Sequence, residues 1–397
     1  MTQTTQKVPK TELDARMAKF RAAMDKAYPD WELCVLAGDI NQYYLTGALV
    51  EGALFIPRGG QAELWARRGY DRAVLESEFP NIRRMSGFRE AAAAFGSLPA
   101  AVYLDMGQAT MEWYGLLSRH MGFQNVFPVD AVCLQVRAVK SDYELAIMRR
   151  AGGTIDRLFT ESVPALLREG ISEAELGAEF FALCVKNGYH GLSRFMMRAD
   201  TVLGSFCFGE SALYPAVFNG ASGIKGLCPA APVLGSGDAK LKRGELVYID
   251  LAFGMEGYNT DKTVIFSLGA QPEYVKEAHA HCLELERAAA AMLRPGVRPS
   301  DIYKAVLEKV RPELREGFMG APGRTVPFLG HGIGLYVDEY PVLAKGFDAP
   351  LECGMTLAVE PKVGIPGVGM VGSENVYLVT GDGGVSLTGA QREICEL

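Results

Sequence analysis

The sequence has few histidines, five in 397 residues, and its eight cysteines contain no Cys-x-x-Cys pair. Cys34, Cys133, Cys184, Cys207, Cys228, Cys282, Cys353 and Cys395 are scattered, so they read as buried or free thiols of a reducing cytosol. A nucleophilic cysteine would need a histidine partner, and so few imidazoles argue against one. Long apolar runs are also lacking. The longest apolar-looking stretch, Ala91 to Leu104, is about 14 residues, broken by Gly96 and Pro99, and too short to span a bilayer. Basic excess is missing too: Lys+Arg total 40 against Asp+Glu 47, a formal charge of −7 with no basic stripe. This balance speaks against a nucleic-acid partner and fits a solubility role. The polar start, MTQTTQKVPKTELDARM, has no apolar core of the kind a signal peptide carries. A cytoplasmic location is expected.

Hydrophobic residues make up 49% and charged residues 22%, an ordinary globular balance. The length suggests two or three domains. In the first 135 or so residues, helical stretches such as Glu12 to Lys26 interleave with short strand candidates at Leu33 to Ala37, Ala53 to Pro57 and Ala101 to Leu104. That pattern predicts a small α/β domain. A boundary is expected near Val136 to Lys140. Ser141 with Glu144, and Ser172 with Glu175, are capping boxes that open two amphipathic helices; Asn187-Gly188 stops the second. The glycine-rich stretch from Thr201 to Gly237 is too long for a plain loop, so it contains further strands or forms part of a site. Strands are expected at Leu246 to Leu251, Thr263 to Leu268, Leu357 to Val363 and Val371 to Val379. Helices are expected from Pro272 to Leu293 and from Ser300 to Val310. Helix, helix, strands, twice over, has the look of a duplicated α+β half.

Four acids stand out because they lie in apolar, strand-like surroundings. Asp250 follows Leu246-Val247-Tyr248-Ile249, and Glu360 follows Leu357-Ala358-Val359. Asp261 and Glu374 precede the returning strands Thr263-Val264-Ile265-Phe266 and Val376-Tyr377-Leu378-Val379. Ionised carboxylates are costly in such places unless cations neutralise them. Two hairpins would face Asp250 with Asp261 and Glu360 with Glu374, and two divalent ions would balance four carboxylates. His331 lies in Gly330-His331-Gly332-Ile333-Gly334, where glycines let the backbone fold tightly around an imidazole. Carboxylates with one imidazole suit Mn, Fe, Co or Zn ions.

The segments YIDLAFGMEGYNTDKTVIF (248–266), GHGIGLYVDEYP (330–341), GMTLAVEPK (354–362) and GMVGSENVYLVT (369–380) resemble the pita-bread metallopeptidases, a superfamily of Xaa-Pro aminopeptidases, prolidases, methionine aminopeptidases and creatinase. NQYYLTG (41–47) and KSDYELAIMRRA (140–151) resemble the N-terminal domain and linker helix of its prolidase and creatinase branch. The resemblance implies an α+β fold. A creatinase-type N-terminal α/β domain, 1–137, would precede a pita-bread metallohydrolase domain, 138–397, in a homodimer. It also implies two divalent metal ions. Asp250 would chelate one, Asp261 and Glu374 would bridge both, and His331 and Glu360 would complete the other. Glu360 would shuttle a proton from the bridging water to the leaving amine.

Around those five ligands the pattern departs from the family. Asp338 stands where proline peptidases carry histidine, and Lys362 where glycine follows Glu-Pro. Val264 and Gly372 stand in place of arginines, and no histidine occurs between Gly191 and Ile249. Asp338 is therefore expected either to contact a cationic group of the substrate, to pair with Lys362, or to be a solvated loop carboxylate. His279 and His281, two apart on a helix, are expected to face solvent. His190 is expected either to reach the site or to end a helix, and the Tyr43-Tyr44 pair to be core. The function expected is metal-dependent hydrolysis of a small peptide of the Xaa-Pro aminopeptidase or dipeptidase kind. The alternatives are hydrolase or lyase chemistry on a small non-peptide metabolite, and a non-catalytic binding module.

Overall fold

The computed structural model describes residues 7–96, 98–196 and 202–397. Part of the polar N-terminal stretch (1–6), Ser97, and the start of the glycine-rich stretch at Thr201 lie outside them. The chain forms two compact units, one running to Arg137 and the other from Ala138 to Leu397.

The first unit is built on a six-stranded mixed sheet. Its order is Ile82–Arg84, Glu63–Arg68, Glu51–Pro57, Leu33–Leu36, Ala101–Leu104, Asn125–Pro128. Leu33–Leu36 is central and buried along its whole length, which explains why it reads as a continuous apolar run rather than an alternating one. Tyr43-Tyr44 lies in the helix Asp39–Thr46, ended by Gly47 in the left-handed conformation at φ 67. Tyr44 is buried, and its hydroxyl donates to the carbonyl of Val136.

In the second unit both capping boxes form, at Ser141 for the helix Asp142–Glu161 and at Ser172 for Glu173–Lys186. Two helices, Glu273–Met292 and Pro299–Lys309, follow at the corresponding place in the second half. The strands Leu246–Met255 and Tyr258–Ser267 form one long antiparallel hairpin. Gly204–Phe208 flanks it on one side and Cys395–Glu396 on the other. The second sheet has the order Glu339–Ala344, Phe328–Gly332, Thr356–Val359, Asn375–Thr380, Gly383–Ser386.

The strand period of two decides which side chains enter the site. On the first hairpin Val247, Ile249, Leu251, Phe253, Val264 and Phe266 pack with the helices Asp142–Glu161 and Glu173–Lys186. Asp250, Asp261 and Thr263 therefore point the other way. On the second hairpin Leu357, Val359, Val363, Tyr377 and Val379 pack with Glu273–Met292. This leaves Glu360, Lys362 and Glu374 on the opposite face. An antiparallel bridge from Thr263 to Glu374 joins the two hairpins.

The second hairpin departs from the two unbroken strands expected. It is divided into Thr356–Val359 with Asn375–Thr380, and Lys362–Ile365 with Gly369–Gly372. Register is kept across the break: Val359 pairs with Asn375 before it and Lys362 with Gly372 after it. Glu360 and Glu374 thus fall opposite one another at the gap. Pro361 has no N–H to donate there. Gly372 adopts φ 136, where a Cβ would lie 2.4 Å from the carbonyl of Pro361. The glycine-rich stretch supplies both features proposed for it: the strand Gly204–Phe208, and Ser222, which reaches Asp250.

Candidate metal centre

In the first hairpin Asp250 pairs with Thr263, and Ala252 with Asp261, so the two aspartates are diagonal neighbours on one face. Asp250 is held from several sides. Its Oδ2 accepts the Tyr248 hydroxyl at 2.6 Å, the Lys362 ammonium at 2.9 Å and the Ser222 hydroxyl at 3.4 Å. Burial alone would raise its pKa, but Lys362 and these hydrogen bonds hold the carboxyl below its usual range.

Asp261 is the opposite case. It is buried, its Oδ1 has no hydrogen-bond partner, and burial together with the charge of Asp250 pushes its pKa up to about 7. Glu374 is also raised by burial and then by Asp261, although Thr263 Oγ1 and Lys362 Nζ donate to its Oε2 at 3.0 and 2.8 Å.

His331 is aimed by an irregularity in the pairing of Phe328–Gly332 with Glu339–Ala344. Across from it on the other side is Ala358, two residues before Glu360. A Cβ at Gly330 would stand 2.1 Å from the carbonyl of Ala358, so only glycine permits this approach. The imidazole Nδ1 lies 3.1 Å from the carbonyl of Gly332 and Nε2 lies 3.5 Å from Glu360 Oε1. A proton on Nδ1 donated to that carbonyl leaves the Nε2 lone pair directed into the site.

All five expected ligands come together, but they are not equivalent. Asp261, His331 and Glu374 each offer a donor atom, and these atoms lie within 4.8 Å of one another. Among the described residues this is the one group of that kind. Its composition, two carboxylates and an imidazole around an orphaned carboxylate oxygen, fits a divalent cation. Asp250 and Glu360 lie outside that group and face Lys362, whose Nζ is 2.9 Å from each and also 2.8 Å from Glu374.

Other expectations need correcting. Asp338 does not pair with Lys362. It is half-buried near His331, its Oδ1 accepts the backbone N–H of Met196 at 2.7 Å, and the partial burial raises its pKa. It is not a solvated loop carboxylate either. His279 and His281 are both buried, because the helix carrying them is covered on more than one side. The Gly372 N–H donates to His279 Nδ1, while Nε2 lies 2.8 Å from the carbonyl of Arg392. His190 packs on the turn of the first hairpin, where its Nδ1 accepts the Gly257 N–H. Val264 faces the helices and not the site. The sequence reading missed Tyr248, Ser222 and Thr263 as braces. For Tyr248 a signal was available, since it lies two residues before Asp250 and so on the same face.

The chain is similar to known proteins in sequence and fold. The profile of metallopeptidase family M24 matches residues 146–381, and that of the Creatinase/Prolidase N-terminal domain matches residues 16–139. The Xaa-Pro dipeptidase of Pyrococcus horikoshii is 26% identical over 386 residues, covering 96% of this chain and 99% of that protein. Two crystal structures superpose with TM-scores of 0.80. The prolidase from P. horikoshii, 24% identical, covers 96% of this chain and 99% of its own. Dipeptidase PepE from Mycobacterium ulcerans, 25% identical, covers 98% and 99%.

The chain belongs to metallopeptidase family M24, with a creatinase-type N-terminal domain before the pita-bread domain. It is a peptidase-class hydrolase, and its family implies divalent metal as cofactor. Among the described residues no helix is long and apolar enough to cross a membrane.

Proposed function

We propose that this chain cleaves small peptides of the Xaa-Pro dipeptidase or aminopeptidase kind at a cation held by Asp261, His331 and Glu374. One observation carries the reading: donor atoms of Asp261, His331 and Glu374 lie within 4.8 Å of one another, and Asp261 keeps a buried oxygen with no hydrogen-bond partner. A divalent ion bound there supplies Lewis-acid polarisation of a carbonyl and activation of a water.

The chain's own groups do the rest. Glu360 uses Oε2 to hold Lys362, and its Oε1 faces His331 Nε2, free to take a proton from the attacking water and pass it to the leaving amine. Asp338 ties the backbone at Met196 to the rim beside His331, and is suited to meeting the cationic end of a peptide. Thr263 orients Glu374 through its hydroxyl. A homodimer, a cytoplasmic location, and manganese as the first ion to supply belong to the same reading, on the strength of the family resemblance.

The test is a panel of Xaa-Pro dipeptides and tripeptides, with non-proline dipeptides beside them, given to protein reloaded with Mn²⁺. Hydrolysis that stops with a chelator and in Glu360→Gln is the expected result. Metal bound at the centre with no cleavage across the panel would move the assignment to a non-peptide metabolite.

A further inference from the structure

The sequence-level arrangement reserved Asp250 for a second cation. In the structure that carboxylate is already engaged, and by a cation of the chain itself. Lys362 Nζ is within 2.9 Å of Asp250 Oδ2, 2.9 Å of Glu360 Oε2 and 2.8 Å of Glu374 Oε2. An ammonium has three hydrogens to donate, and here each has a carboxylate oxygen. The side chain is 2% exposed, so these contacts are not screened by water. The face of Tyr248 lies 5.9 Å from the same nitrogen.

We infer that Lys362 is a built-in substitute for the second metal, and that the centre takes one divalent ion per chain, at Asp261, His331 and Glu374. The inference rests on the metal-site reading above and sharpens it. Three geometric facts support it. First, Asp250 Oδ2 accepts from Lys362, Tyr248 and Ser222 together, which uses all the acceptor capacity of that oxygen. A second metal bound through that oxygen would have to displace at least the lysine.

Second, a divalent ion binds carboxylate oxygen at about 2.0–2.2 Å. The ammonium touches Asp250 and Glu360 as well as Glu374, so an ion bound to the Asp250 and Glu360 oxygens that face it would crowd a buried positive charge, whereas the proposed single site shares only Glu374 with the lysine. Third, the lysine is built in. It lies directly across the ladder from Gly372, where any Cβ would come within 2.7 Å of Lys362 Cα and 3.1 Å of its Cγ. Gly372 thus makes room for the stem, and its ammonium ends among the carboxylates.

Asp261, the one acid of the four that Lys362 does not touch, is also the one left with an unpartnered oxygen.

Metal content separates the possibilities. The whole protein, stripped with a chelator and reloaded with excess Mn²⁺, is desalted and its metal counted per chain by mass spectrometry. One ion in the native sequence and two in Lys362→Gly is the expected result. Two ions in the native sequence, or one in both proteins, overturns the inference. No ion in the native protein defeats the metal-site reading itself, which Asp261→Asn tests separately by abolishing binding. Should Lys362→Gly fail to fold, electron paramagnetic resonance of the native Mn²⁺ protein decides alone. An uncoupled six-line spectrum supports a single ion, and an exchange-coupled pair refutes it.

Discussion

Replacing Lys362 with methionine would test the electrostatics of the centre through stability. The side chain is one atom shorter, keeps its unbranched shape and loses its charge, which leaves Asp250, Glu360 and Glu374 facing one another without the ammonium. Each of those carboxylates is now within 2.9 Å of the ammonium. Breaking a buried ion cluster by removing one partner costs about 3–5 kcal/mol, because the charges left behind remain desolvated. At about 2–4 °C per kcal/mol for a domain of this size, Lys362→Met in chelator should melt about 6–20 °C below the native protein. Divalent metal should then restore the variant by more than it raises the native protein, since a cation gains a place the lysine had filled. Each occupied site at a hundredfold excess over its dissociation constant contributes about 2.7 kcal/mol. Calorimetric melting of both proteins, with EDTA and with Mn²⁺, measures all four states. A variant that melts within about 2 °C of native in EDTA, or that gains no more from metal than native does, would refute the reasoning.

Three further outcomes follow from the same structure. Gly372→Ala puts a Cβ 2.4 Å from the carbonyl of Pro361 at φ 136, and should cost about 2 kcal/mol or more in urea unfolding; a loss below about 0.5 kcal/mol would contradict the packing described. His190 is half-buried and its pKa is pushed down to about 4 by desolvation, against about 6.5 when unfolded. The unfolded chain therefore binds more protons between those values. The stabilisation is present above pH 6.5 and is lost, up to about 3 kcal/mol, as pH falls toward 4; His190→Gln should flatten that part of the urea-midpoint profile. Asp338→Asn keeps the oxygen that accepts from Met196, so metal content and melting temperature should hold while kcat/KM on the best peptide falls about tenfold or more. Unchanged turnover would return Asp338 to a purely structural role.

Much of the fold and the membership of the centre was legible in the chain before any coordinates, for identifiable reasons. Capping boxes at Ser141 and Ser172 are local hydrogen-bond codes, complete within four residues, and both formed as read. Acids in apolar strands are conspicuous because burying a carboxylate without a cation is so unfavourable, and Asp250, Asp261, His331, Glu360 and Glu374 do converge. The Tyr43-Tyr44 segment showed no clear period, and it is a helix that the neighbouring strands cover.

Which of those side chains Lys362 engages was decided only by tertiary structure. Lys362 lies two residues after Glu360 and so on its face, but the pairing of distant strands is what brings its ammonium to Asp250 and Glu374. Helical spacing suggested exposed faces for His279 and His281, but a helix covered on several sides has no free face to give them. Local sequence determined that the acids of the apolar strands would be buried. Long-range pairing, bringing together residues more than a hundred positions apart, decided which charge neutralises which.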